Sequence, residues 1–314
     1  MQRCSGSRAR DNNVPLAGTP SPIQASRAPL EDECYSCVIA DTELRVATNL
    51  GAEVVAAILR RYLVVPHRGP NHGQADLSLH LVGTSCRVGQ GTAGFALEVD
   101  GHFEENLGRL LTGTLASKLR GKGHLVLHGS VVAKAGRAAI LTGPSGAGKT
   151  TLAMALLERD WSLLADDLAV LELPSLRCLP VPTALGLIPT EKPKGRAPDR
   201  GEPRPGKKQY CPPEQLFPTW HWGEPTPLTE VVFLAPATTG LPAVFRELGA
   251  AEAWDHLLET SYFTSKKGFL EGLGALLPGL ARLKGTARCR LLKGGSVLER
   301  RELVDQLFHR EEVP

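Results

Sequence analysis

Aromatic residues make up only 5% of this chain, too few for the stacking platform on which proteins hold single-stranded nucleic acids. Charge of one sign is lacking as well: Lys and Arg total 36 against 33 Asp and Glu, a formal net charge of +3. That balance points to neither nucleic acid nor a membrane surface as a partner. Long hydrophobic runs are missing too. The most apolar stretch, AEVVAAILRRYLVV, is cut by arginines and too short to span a bilayer. The opening MQRCSGSRARDNNVPLAG has basic residues with no apolar segment of secretory length behind them, so no signal peptide is expected and the expected location is cytoplasmic. Cysteines number seven and are thinly spread, which suits reduced thiols better than a disulfide framework. Cys34 and Cys37 form the one close pair, with no second CxxC or histidine pair to complete a zinc site. They read as two solvent-side thiols.

What is present is a chain of 314 residues, 42% of them hydrophobic, enough to bury the core of one large or two modest domains. Residues 1–33 mix Gly, Ser, Pro, Asn and Arg without periodicity and read as a flexible leader. Residues 34–120 read as a small α/β unit: LRVATN, ADLSLHLVG and GFALEVDG are expected strands, GAEVVAAILRRYLVV and HFEENLGRLLTGTLASKL expected helices. Residues 121–314 read as a second, larger α/β domain with substantial antiparallel content. Its run HLVLHGSVVAKAGRAAILTG is β-rich, broken by a Lys-Ala-Gly turn. Residues 150–159 form a short expected helix, WSLLA and LAVLEL are expected strands, and TEVVFLAP, PAVFREL and GTARCRLLKGG follow as strands among helices. The segment 189–213 is rich in Pro, Gly, Lys and Arg and reads as a long mobile loop.

Gly143, Gly148, Lys149 and Thr150 fit G-x-x-x-x-G-K-[ST], with an apolar strand before and a helix after. The glycines let backbone amides turn toward phosphates, and the helix N-terminus adds its positive dipole end. Lys149 is expected to reach the β- and γ-phosphate oxygens, and the Thr150 hydroxyl to sit on magnesium. Asp166 and Asp167 follow sixteen positions after Thr150. Two carboxylates beside one γ-phosphate can divide the work, one holding the metal and the other taking a proton from an attacking hydroxyl. The plainer alternative is that only one of them faces the site, since adjacent strand residues alternate faces. His128, just before the phosphate-loop hairpin, is placed to tune the base.

The stretch HGSVVAKAGRAAILTGPSGAGKTTLAMALLERDWSLLADDLAVLEL, residues 128–173, resembles the catalytic domain of the HPr serine kinase/phosphorylase family, whose phosphate-loop fold is shared with ATP-dependent phosphoenolpyruvate carboxykinase. The resemblance implies a mixed-sheet phosphate-loop kinase domain, with ATP phosphates held by Gly143, Ser145, Gly146, Gly148, Lys149, Thr150 and Thr151. It also implies catalytic roles for His128, Asp166 and Asp167, with Lys149 stabilising the transferred group. Asp166 is taken as base and Asp167, with Thr150, as metal ligand, an order the sequence leaves open. No Glu-x-Arg-Gly-x-Gly-like segment follows the catalytic strands, and the layout looks more like divergent HPr-kinase-related proteins, some of which phosphorylate serine hydroxyls on peptides.

The expected activity is therefore magnesium- and ATP-dependent transfer of the γ-phosphoryl group to a hydroxyl, a serine of a protein or peptide. The alternatives are a kinase of free serine or a sugar, and a non-catalytic ATP-binding regulatory module. Hexamers occur in the resembling family, which leaves a homo-oligomer open. The basic loop holds Lys192, Lys194, Arg196, Arg200, Arg204, Lys207 and Lys208 against Glu191, Asp199 and Glu202. It reads either as a solvated segment or as a lid over triphosphate, with Lys207 and Lys208 beside Tyr210 the favoured contacts.

Overall fold

Alternating apolar residues build the first of two main sheets. A computed structural model describes residues 33–50, 67–69, 75–82, 85–90, 93–99, 103–173, 175–187, 209–217, 221–236, 240–261 and 266–309. The first strands are β1 (Glu33–Ile39), β2 (Thr42–Thr48), β3 (His67–Gly69), β4 (Leu77–Val82), β5 (Ser85–Gln90) and β6 (Ala93–Glu98), followed by helix α1 (Phe103–Gly121). The strands lie in the order β3-β1-β2-β4-β5-β6. All neighbours are antiparallel except β2 and β4. Tyr35, Cys37, Ile39, Leu44 and Val46 are buried on the inward face. Leu107, Leu111, Leu115 and Leu119 recur at helical spacing along α1 and join them in one core.

The second sheet carries the glycine-rich loop. Its elements in chain order are β7 (His124–Leu127), β8 (Gly129–Lys134), β9 (Arg137–Thr142), α2 (Lys149–Leu157), β10 (Ser162–Ala165), β11 (Ala169–Glu172) and β12 (Arg177–Leu179). There follow β13 (Leu185–Leu187), β14 (Gln209–Cys211), α3 (Pro213–Leu216), β15 (Thr226–Leu234), β16 (Val244–Glu247), α4 (Ala250–Thr260), α5 (Lys266–Thr286), β17 (Arg288–Lys293) and α6 (Val297–His309). β15 runs parallel to both β9 and β17, while β8, β10, β11 and β12 pair antiparallel. Val231, Val232, Phe233 and Leu234 are all buried, the continuous apolar run of a strand covered on both faces. The fold is thus α/β with mixed sheets, and β13 and β14 form a separate antiparallel pair.

Helix α6 clamps α2 against this sheet. Leu152, Leu156, Trp161, Val304 and Phe308 share a second core, with the Trp161 and Phe308 rings edge to face at 4.5 Å. One carboxylate ties the clamp down: Asp305 Oδ1 accepts from Trp161 Nε1 and from Lys134 Nζ, each at 2.8 Å.

Several expectations are corrected here. Cys34 and Cys37 are buried, not solvent-side, and Cys37 joins Tyr35 and Ile39 in the core shared with α1. Burial, with Glu43 nearby, pushes the Cys37 thiol up to about 11. Strands β1 and β5 were not read from the sequence. The β-rich run before the phosphate loop breaks at His128 into β7 and β8, so it contributes three strands and not two. The expected loop ends early, since Gln209–Cys211 is a strand and Pro213–Leu216 a helical turn. The leader up to residue 32, the expected helix over 51–65 and the basic segment 188–208 lie outside the described residues. No described helix is long and apolar enough to cross a membrane.

The Asp305 clamp gives a pH-dependent test. Burial alone would raise its carboxyl, but hydrogen bonds from Lys134 and Trp161 outweigh burial and hold it below the ordinary value. A lowered native value stabilises the fold above the unfolded pKa of about 3.9, and the gain is lost as pH falls through the native value. Asp305→Asn should cost about 2 kcal/mol at pH 7, a fall of roughly 5 °C in melting temperature. The gap between variant and parent should close as thermal melts are taken toward acid.

Candidate functional site

Strand β9 ends at Thr142, and the chain then turns back on itself over a glycine-rich loop. Gly143 has φ 140°, and a Cβ there would stand 2.5 Å from the Leu234 carbonyl oxygen on β15. Only glycine fits that approach. Gly146 and Gly148 also take positive φ, and Gly148 opens α2 with no side-chain cap. The first-turn amides of α2 are therefore not covered by a capping side chain, the arrangement that suits an anion. Lys149 lies back along the loop, its ammonium donating to the carbonyl oxygens of Gly143 at 2.9 Å and Pro144 at 3.0 Å. Ser145, Gly146 and Thr151 are exposed.

Asp166 is 1% exposed, and a buried carboxylate must find donors. It finds them on three separate elements. Thr150 Oγ1 on α2 lies 3.1 Å from both carboxylate oxygens, Ser130 Oγ on β8 donates to Oδ1, and the Gly186 amide on β13 donates to Oδ2 at 3.2 Å. The Asp166 amide in turn donates to Thr183 Oγ1 at 2.7 Å.

Asp167 leaves the strand in the left-handed region, φ 68°, a conformation that aspartate tolerates better than most residues. The turn breaks the alternation of strand faces. As a result Asp166 and Asp167 both line one small recess, about 10 Å³, together with Thr112 of α1, Thr183 and Tyr210 of β14. That is about the room of one water molecule. His128 sits on the other side of the turn: its Nδ1 lies 3.1 Å from the Asp167 carbonyl oxygen. Its own amide donates to Thr260 O at 2.7 Å, and its carbonyl accepts from Thr142 Oγ1 at 2.6 Å.

The sequence-derived residues thus come together, with Lys149, Thr150, Asp166, Asp167 and His128 around the end of β9. Lys207 and Lys208 lie outside the described residues, while Tyr210 reaches the recess. Ser130, Thr183 and Gly186 were missed. Ser130 lies on β8 just after the break at His128, and neither it nor Thr183 nor Gly186 carries a local signal.

The oxygen set fits a hard divalent cation. A threonine hydroxyl and one carboxylate in contact are the protein share of a magnesium site whose other ligands are phosphate oxygens and water. Among the described residues no three or more His, Cys, Asp or Glu side chains gather as a metal site, and a site of this kind does not need them.

Gly143→Ala tests the loop geometry. Its Cβ would meet the Leu234 carbonyl at 2.5 Å with the backbone at φ 140°. The expected cost is about 2–4 kcal/mol in urea denaturation, against a few tenths for an exposed, unstrained site.

Neither a protein-family model nor a curated protein matches the chain. Among solved structures it is similar to the Hpr(Ser) kinase/phosphatase from Coxiella burnetii, with 10% sequence identity over 60% of this chain and 96% of that one, at a TM-score of 0.31.

Proposed function

We propose that this chain is a magnesium- and ATP-dependent phosphotransferase that moves the γ-phosphoryl group to a hydroxyl, a serine of a protein or peptide. The observation that carries the reading is the contact between Thr150 and Asp166 at the mouth of a phosphate loop, with a second aspartate lining the same recess. An attacking hydroxyl must lose its proton as it bonds to phosphorus, and the second carboxylate offers a base for that step.

The geometry supports the reverse of the order first taken for the aspartates. Asp166 already accepts from Ser130, Thr150 and Gly186, so it is a positioned holder, and its partner Thr150 is the loop's metal-side hydroxyl. Asp166 and Thr150 are therefore assigned to magnesium, and Asp167 to the base. Bound magnesium would supply charge neutralisation on the β- and γ-phosphate oxygens. Lys149 exchanges the Gly143 and Pro144 carbonyls for phosphate oxygens, and the uncapped amides at the start of α2 point to the same anion. The acceptor hydroxyl oxygen bonds to the γ-phosphorus as the bond from γ-phosphorus to the bridging oxygen breaks. ADP leaves, and the hydroxyl proton passes to the Asp167 carboxylate. His128 is a positioning residue, acting on the main chain of Asp167. Residues 121–314 form the kinase domain in this reading.

Incubation with γ-labelled ATP, magnesium and a peptide library should label serine-containing peptides. Asp167→Asn should lower the transfer rate by about 10²–10⁴-fold with ATP binding kept, whereas Asp166→Asn should raise the magnesium concentration needed. Phosphate release with no labelled acceptor, unchanged in Asp167→Asn, would remove the kinase assignment.

A further inference from the structure

Helix α6 begins where two glycines turn the chain out of β17. Gly294 and Gly295 take φ 64° and 73°, and Ser296 and Glu299 then cap the helix reciprocally: Glu299 N donates to Ser296 Oγ at 3.3 Å and Ser296 N to Glu299 Oε2 at 2.7 Å. The cap fixes the first turn, and the next residue is Arg300, 3% exposed. Burial pulls its guanidinium below the ordinary value, yet from so high a start that it keeps its charge.

That charge is met only by carbonyls. Nε donates to Gly294 O at 2.7 Å and Nη1 to Ala147 O at 3.3 Å, while Nη2 has no hydrogen-bond partner. Among the described residues no carboxylate pairs with Arg300. Three cations of the same sheet and helix are matched: Lys134 by Asp305 at 2.8 Å, Arg290 by Glu230 at 2.9 Å, and the adjacent Arg301 by Glu158 at 3.1 Å. A buried charge without an opposite charge is costly, and here it stands against the glycine-rich loop.

Ala147 is the point where that loop needs an outside hold. Gly146 and Gly148 on either side take φ 81° and 91°, with open space where a Cβ would lie, so the flanking backbone has the widest choice of rotation. In a trans peptide the carbonyl and the following amide point in opposite directions. Arg300, reaching across 153 positions, holds the Ala147 carbonyl toward α6, and the Gly148 N–H is thereby turned away from α6. That amide makes no hydrogen bond among the described residues.

We propose that Arg300 is a positioning residue of the phosphate loop: it sets the Ala147–Gly148 peptide so that the Gly148 amide is presented to a bound phosphate chain, and its unmatched positive charge strengthens that donor. The inference rests on the phosphate-loop reading above. A donor fixed in advance avoids the ordering cost when the anion arrives. A cation on the carbonyl end of a peptide polarises it, which makes the N–H at the other end a better partner for an anion.

Titration calorimetry of the full chain with magnesium and inorganic tripolyphosphate, below the melting temperature of every variant, tests this. Arg300→Met should weaken binding about ten- to hundredfold, and Arg300→Lys, which keeps a charge but not the rigid fork, by several fold. Arg301→Met removes the neighbouring charge that Glu158 already matches and should bind like the parent. Hydrogen exchange gives a reading that packing alone would not move: tripolyphosphate should slow exchange of the Gly148 amide in the parent and not in Arg300→Met. Parent-like affinity in a folded Arg300→Met, or in Arg300→Lys where the methionine variant does not fold, would overturn the inference, as would an equal loss in Arg301→Met or equal protection of Gly148 in Arg300→Met. A parent protein that binds neither tripolyphosphate nor ATP would overturn the phosphate-loop reading itself.

Discussion

A carboxylate that is 1% exposed needs donors, and the demand of Asp166 organises the whole centre. It draws a hydroxyl from β8, a hydroxyl from α2 and an amide from β13, donors that lie up to 36 positions from it in sequence. Removing any one donor would leave buried polar surface unmet, at a cost of about 1–3 kcal/mol. The phosphate loop, the hairpin before it and the β13–β14 pair are thereby held to one point. The same carboxylate touches the threonine of the loop, so structural and chemical demands fall on the same side chain.

The loop is also held from behind. Helix α6 contributes Phe308 against Trp161, Asp305 to Trp161 and Lys134, and Arg300 to the Ala147 carbonyl. A phosphate loop must present its amides without rearranging when the ligand arrives, since donors fixed in advance avoid the ordering cost at the moment of binding. The packing of α6 on α2 supplies that rigidity.

Much of this centre was legible in the sequence where the physics is local. Gly143, Gly148, Lys149 and Thr150 announce themselves because a loop that wraps phosphate needs glycine at set positions and a helix immediately after. The strands around it were legible as apolar runs. The pair Cys34 and Cys37 was misread because two cysteines in a polar-looking stretch say nothing of sheet order. Cys37 is buried because its face of β1 joins the core shared with α1. Strand β5, SCRVGQ, offers only Cys86 and Val88 as buried apolar positions, too short a pattern to stand out, and its place depends on pairing with β4 and β6.

What the sequence by itself determined is which groups lie close along the chain: a glycine-rich loop with Lys149 and Thr150, two adjacent aspartates and a histidine within one short stretch. These follow from residue type and spacing, which local backbone geometry translates directly. Tertiary structure alone brought Asp166 against Thr150, because that contact depends on how α2 packs beside the end of β10. It alone brought Ser130, Thr183 and Gly186 to Asp166 and Arg300 to Ala147, contacts that span up to 153 positions. Such contacts depend on how sheets and helices pack, and no local pattern encodes them.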